Sequence, residues 1–556
     1  MRLTEAARRL VLLAALLPLA PHAVAAQSDT WALTNARIQT VTRGVIEKGT
    51  VIIRKGLIEA VGPSVPVPAD ARVIDLGGKT VSPGLFDLTS TLGLPAPTVS
   101  APGGGGGGGG PAAAQQPAGG PRPGLDPERE IVRELKVSPG DVKPIRDQGI
   151  TAVLVSPSRG LFRGSSALVP LRDSVTGNDV LRAPVAMHMG YQGSPGDYPA
   201  TLLGVITYQR QSFYDAQRQA VLLDRYKANP RGMARPENDP STDALVPVLR
   251  GQLPLFIDAN NENEIRRAVR FAKEFELKPV IVGATEGFEA VDALTGRPAI
   301  VSVNFPQPAQ TTGWSYRLSQ RRMPGDSAAS AREAQKLIEG NAATLNKAGV
   351  KFALASGGSR DFLPNVRKAI AAGLPATVAL EALTIRAAEL VGEGDVLGSV
   401  EQGKIANLVV SNGDILGDSA KVSLVFVDGI RYEAAPPPAP ARNAGGGGGS
   451  GAAAPAAQLA GTWALNLNSP QGPMDITMTV SQSGNGFTGT MASMLGTNEI
   501  SEGQINGRVA TWSMTLQIGG QSITLNYRGE VEGNRMSGTA ELGSFGSATF
   551  TAERKP

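Results

Sequence analysis

Apolar and polar residues recur along this chain with two different periods, and the change from one to the other divides it into parts. From Trp31 onward, short alternating runs predict strands at Leu33–Ile38, Thr50–Ile53, Leu57–Gly62 and Val73–Leu76, broken by turn pairs at Lys55-Gly56 and Gly77-Gly78. Further on, nearly continuous apolar runs at Ile150–Ser156, Val185–Met189, Leu255–Asp258, Pro279–Val282, Ala299–Asn304 and Val350–Leu354 suit strands covered on both faces. Helical spacing appears between them. Glu262–Phe275 places Ile265, Val269, Ala272 and Phe275 on one face, and Ser330–Ala348 carries Ala334, Leu337, Ile338 and Leu345. Such strands alternating with amphipathic helices predict an α/β fold, a (β/α)8 TIM-like barrel. Beyond residue 458, alternation returns in Met474, Ile476, Met478 and Val480, in Trp512, Met514, Leu516 and Ile518, and in Ile523, Leu525 and Tyr527. With turn signals between these runs, it predicts a C-terminal antiparallel all-β domain of about six to eight strands, a small barrel or a sandwich.

The ends and joints of these parts carry their own signals. Arg2, Arg8 and Arg9 precede the apolar run Leu10–Leu17, and Ala23-Val24-Ala25-Ala26 supplies small residues for cleavage, so residues 1–26 are expected to be a signal peptide and the mature protein to be exported, periplasmic or extracellular. No other stretch is apolar enough for a membrane span. Three Arg and one Glu leave with the leader, taking the formal net charge from +4 to +2, too small a balance to point to nucleic acid. The absence of Cys excludes disulfides, a thiol nucleophile and a lipid-anchoring cysteine. A Gly-rich insertion at 103–123 and a Pro/Gly/Ala linker at 434–457 have the composition of flexible chain, the second setting off residues 458–556. The glycine run lacks the Lys-Ser/Thr of a phosphate-binding loop.

Two longer segments carry a resemblance. Thr80-Val81-Ser82-Pro83-Gly84-Leu85-Phe86-Asp87, with the strands before it, and the return leg Leu397-Gly398-Ser399-Val400-Glu401-Gln402-Gly403-Lys404-Ile405-Ala406-Asn407-Leu408 through Val425-Phe426-Val427-Asp428-Gly429 resemble the opening and closing of the amidohydrolase superfamily, most closely its imidazolonepropionase-like branch. The resemblance implies a flanking β-sandwich split between 27–82 and 398–433 around a barrel at 83–397, and a family chemistry of C–N bond hydrolysis in cyclic amides and dipeptide-like substrates by a bound divalent ion, usually zinc. Matched residue by residue, the positions of the family's ligands and catalytic aspartate hold Thr89, Thr91, Asp258, Gly283 and Gly357; a glycine offers no ligand atom on its side chain, and threonine is a poor zinc ligand. Asn407 stands where the family has Asp.

Once the leader takes His22 away, His188 is the last histidine. The expectation is therefore a degenerate member with no cofactor, a pseudoenzyme that binds a small polar ligand or a paralogous amidohydrolase, as a homo- or hetero-oligomer. Polar residues at predicted strand ends, among them Ser90, Ser156, Asn260, Asn304 and Ser356, would line such a ligand site. Two alternatives stay open. One is an active hydrolase built on His188, Asp258 and Glu286 with Asp361 nearby, a set that could also hold a zinc ion. The other gives the C-terminal β domain a ligand-binding role, against the simpler reading that its Met and aromatic positions are core. A serine hydrolase is not supported, because neither Ser165 nor Ser166 lies in a Gly-x-Ser-x-Gly turn.

Overall fold

The computed structural model describes residues 30–95, 126–157, 160–191, 199, 201–305, 327–434, 458–469, 472–484, 486–493, 496–518, 521–541 and 547–555. The leader, the Gly-rich insertion and all of the linker after residue 434 lie outside the described residues. The chain forms two units, 1–441 and 442–556.

In chain order the first unit begins with β1 (Thr30–Gln39), β2 (Val45–Arg54), β3 (Leu57–Gly62), β4 (Arg72–Asp75), β5 (Thr80–Pro83) and β6 (Leu85–Ser90). After α1 (Pro139–Arg146) come β7 (Ile150–Val155), β8 (Phe162–Ser165), β9 (Ala167–Pro170), β10 (Met187–Met189), α2 (Leu202–Ala228), α3 (Pro240–Leu249), β11 (Leu255–Ala259), α4 (Glu262–Glu274), β12 (Pro279–Gly283), α5 (Val291–Leu294) and β13 (Ala299–Ser302). It closes with α6 (Ser327–Glu339), α7 (Asn341–Lys347), β14 (Phe352–Ala355), α8 (Phe362–Ala371), α9 (Ala376–Leu383), α10 (Ile385–Leu390), β15 (Leu408–Ser411), β16 (Val422–Val427) and β17 (Ile430–Glu433). The single helix expected over Ser330–Ala348 is broken at Gly340 into α6 and α7. Glycine inside a helix costs about 1 kcal/mol, so the break falls where helix propensity is weakest.

Strands from both ends of this unit share one sheet, in the order β17-β16-β15-β5-β1-β2-β3 with β4 on β1. The join is the antiparallel pair β5–β15, Thr80 to Ser411 and Pro83 to Leu408. Leu33, Ile38, Val51, Ile53, Val81, Leu408, Val410 and Phe426 form its core.

The barrel wall is built from β6-β7-β9 and β8-β10-β11-β12-β13-β14. Side chains divide between its two faces as strand geometry requires. Phe86, Leu154, Phe256, Val280, Ile300 and Ala353 join an inner cluster, while Val153, Ile257, Ile281 and Val301 pack with helix residues such as Phe213, Ile265 and Phe271. Helix α4 begins on a full capping box: Asn261 accepts from Glu264 N, and the Glu264 carboxylate accepts from Asn261 N.

The all-parallel (β/α)8 expectation is corrected in one place. Between β7 and β10 the wall is completed by β9, antiparallel to β7, and β8, antiparallel to β10, one returning stretch jogged at Ser166. Only a short segment separates the end of β7 from the start of β8, too little for the crossover helix that a parallel neighbour needs. An antiparallel strand starts at the face where parallel strands end. Its first residues, Phe162 and Arg163, thereby arrive at the C-terminal mouth of the barrel, where such folds place their chemistry.

The second unit is a closed antiparallel barrel of eight strands: β18 (Gly461–Ser469), β19 (Gly472–Ser483), β20 (Gly486–Ser493), β21 (Gly496–Asn506), β22 (Val509–Ile518), β23 (Gln521–Glu532), β24 (Arg535–Glu541) and β25 (Ser547–Arg554). β25 pairs back onto β18, which leaves no sheet edge. Trp463, Met478, Phe487, Met491, Trp512, Tyr527 and Phe550 belong to one packed cluster, and the Trp512 and Tyr527 rings stack at 5.2 Å. The alternating Met and aromatic positions thus serve as core.

Candidate functional site

A cavity of about 1180 Å3 opens at the C-terminal ends of the barrel strands. Thr89, Thr91, His188, Asp258, Gly283, Glu286 and Gly357 all line it, so residues scattered over the whole barrel sequence meet at one place. Ser90, Ser156, Asn260, Asn304 and Ser356 line it as well. Asp361 does not belong with them: it is exposed at the start of α8, and its neighbours Arg360 and Phe362 take the places on the wall. Its proximity in sequence to Gly357 was a poor guide, because the intervening turn carries it outward.

At the first and eighth strands the would-be ligand positions are bonded to each other. Gly357 N donates to Thr89 Oγ1 at 2.8 Å, and Thr89 Oγ1 in turn donates to Asp87 Oδ1 at 3.2 Å. Asp87 also accepts from Ser356 N at 2.9 Å and from Thr89 N at 3.2 Å. This seam of side-chain bonds joins β6 to β14. Burial nevertheless dominates at Asp87 and raises its pKa from the usual carboxylate value, the hydrogen bonds offsetting only part of the shift.

The two glycines are spaces already taken. A Cβ at Gly357 would run into Ser302 Oγ, and one at Gly283 into Asn260 Oδ1; both glycines also have positive φ, +59° and +97°. Asn260 Oδ1 is itself held by Thr285 Oγ1 at 3.2 Å, and Ser302 Oγ by Asn304 N at 3.2 Å. The space beside both glycines is therefore filled by neighbouring side chains that are themselves hydrogen-bonded.

At the fourth and fifth strands the dominant group is Arg163, which the sequence pattern did not single out. It is 4% exposed, its Nη1 donates to Pro157 O at 2.9 Å, and its Nη2 lies 2.5 Å from Asp258 Oδ1. His188, 2% exposed, packs edge-on to Phe256 at 5.3 Å, and its Nε2 has no hydrogen-bond partner among the described residues. Burial first, and the Arg163 charge second, push the His188 pKa well below its ordinary value, so the imidazole is neutral. Glu286 is buried and accepts from Glu262 N at 3.3 Å. Among the described residues, no group of three or more His, Asp or Glu side chains is placed to hold a metal ion.

Residues 317–431 match the amidohydrolase family. The structure of an amidohydrolase from Thermotoga maritima MSB8 superposes with a TM-score of 0.59 at 22% identity, covering 72% of this chain and 99% of that one. The fold is that of the amidohydrolases. A Xaa-Pro dipeptidase with bound methionine in the active site gives a TM-score of 0.44 at 17% identity, over 73% of this chain and 100% of that one. No curated protein sequence matches the chain.

A divalent ion of the amidohydrolase kind does not fit these residues. It would have to displace the Arg163 guanidinium from Asp258, approach a fixed positive charge in a largely buried wall, and find donors where Asn260 and Ser302 fill the space beside Gly283 and Gly357. What the arrangement offers is a cavity whose wall is more apolar than polar and carries a set of polar groups: the Asn260 and Asn304 amides, the serine and threonine hydroxyls and Arg360 as donors, with Glu286 and Asp258 as acceptors.

Proposed function

We propose that this chain is an exported amidohydrolase-family protein of the imidazolonepropionase-like branch that has given up metal-dependent hydrolysis and holds a small polar ligand in the strand-end cavity. The observation that carries the reading is the repacking at Gly283 and Gly357, where Asn260 and Ser302 occupy the room a ligand side chain would need. A site that had merely lost its ligands would keep that room. Here the neighbours have closed it, and Arg163 supplies a permanent positive charge bonded to Asp258. The guanidinium only donates hydrogen bonds and cannot take the proton of an attacking water, so it supports binding and orientation in place of water activation.

Metal analysis of the mature protein, expressed with added zinc and dialysed without chelator, tests the reading together with hydrolysis assays on dipeptides and cyclic amides. We expect well under one metal per chain and no metal-stimulated turnover. About one metal per chain, lost in His188→Ala or Asp258→Ala, would overturn it in favour of an active site around those residues.

A further inference from the structure

A second cavity, of about 250 Å3, lies between α2 and α4 and is lined by Tyr191, Ile206, Gln209, Arg210, Arg267, Arg270 and Phe271. Three of these seven residues are arginines and none is acidic. Arg210 sits on α2, while Arg267 and Arg270 stand three residues apart on α4, a spacing that puts both on one face of that helix. Arg210 Nε is bonded to Glu274 at 2.8 Å, but neither Arg267 nor Arg270 forms an ion pair among the described residues. The Arg267 guanidinium lies 5.2 Å from the centre of the Tyr191 ring.

Arginines on an exposed helix face are commonly just solvated. Two further observations set this group apart. The Tyr191 hydroxyl is buried and has no hydrogen-bond partner among the described residues, an arrangement that is unfavourable unless something binds it. Burial also raises the phenol pKa, so the group keeps its proton and can donate. Gln209, 1% exposed, spends its amide N–H on Gly190 O at 2.7 Å, which fixes the floor of the cavity against the end of β10. With no carboxylate on the lining, Arg267 and Arg270 outside any ion pair among the described residues and one phenolic O–H, the cavity is rich in donors, and its complement is a compact oxyanion of more than one charge.

We propose that the α2–α4 cavity binds a phosphate group, with Arg267 and Arg270 as the charge-bearing donors and the Tyr191 hydroxyl as the neutral one. The site is separate from the strand-end cavity, and it stands or falls independently of what that cavity does.

Isothermal titration of the mature protein with inorganic phosphate, in a phosphate-free buffer at neutral pH, tests this. The expected result is saturable binding at one site per chain, weakened about tenfold in Tyr191→Phe and abolished in Arg267→Gln/Arg270→Gln, with acetate binding far more weakly than phosphate. A parallel titration with glycerol 3-phosphate separates two sources of the group: tighter binding of the ester assigns the site to an organic phosphate, equal binding to the free anion. The Tyr191→Phe protein removes one oxygen and keeps the ring, so it guards against loss of binding through misfolding. Absence of saturable binding to both probes, or binding unchanged in the double arginine variant, would overturn the proposal.

Discussion

Gly357 N and Thr89 Oγ1, 268 positions apart in sequence, are joined by a 2.8 Å hydrogen bond that closes the barrel between its first and last strands. The resemblance to the amidohydrolase pattern matches these two positions to residues that serve a metal; in this structure they bond to each other. Restoring the family residue should therefore do harm. Gly357→Asp places a side chain against Ser302 and Asn304 at a backbone angle that favours glycine, and should cost about 3 kcal/mol, measured by urea unfolding. Ser302→Gly in the same chain should recover part of the loss, which a cost arising from backbone strain alone would not allow.

The Arg163–Asp258 pair is unequal, with side chains 4% and 34% exposed. Asp258→Asn leaves a buried cation without its counter-charge, and a loss of about 3 kcal/mol is expected. Arg163→Met leaves a carboxylate that water can still reach, and should cost about 1–2 kcal/mol. The double variant should lose less stability than the sum of the two single losses, a coupling that a double-mutant cycle measures directly.

Acid should weaken the fold through His188. Its folded pKa lies well below the ordinary histidine value of 6.5, so below that pH the unfolded chain takes up a proton that the folded one refuses. The stability held above pH 6.5 is lost as pH falls toward the folded value. His188→Gln should flatten this part of the stability profile; an unchanged slope would mean that the imidazole is solvated.

Asp87 has the opposite sign. Its folded pKa is raised from 3.8, so the folded state holds the proton more tightly, and stability declines as pH rises from 3.8 through the folded value. Asp87→Asn keeps an acceptor for Ser356 N while removing the buried charge. It should be neutral or stabilising at neutral pH and should erase that decline.

The parts of this architecture that depend on local pattern were legible in the sequence. The amphipathic face of α4, the apolar run of β7 and the alternation around Trp512 each stand in the structure near where the periodicity put them. His188, Asp258 and Glu286 do share one cavity. Arg163 is not legible in the sequence, because the apolar pattern marks the ends of parallel strands and Arg163 reaches the mouth from the start of an antiparallel one. Nor could composition reveal that Asn260 and Ser302 fill the space beside the two glycines, since that contact is made only when separate strands come together. Asp361 misled for the converse reason, its nearness being along the chain and not across the mouth.

The pairing of β5 with β15 makes the flanking sheet a clasp whose two halves are made at opposite ends of the barrel. During synthesis β5 must wait, with one edge open, until the whole barrel sequence and then Leu408–Ser411 have followed it. A chain stopped anywhere inside the barrel would keep that edge exposed, so shortened forms should aggregate rather than survive as smaller folded pieces, whereas a chain ended after Glu433 has both halves of the clasp.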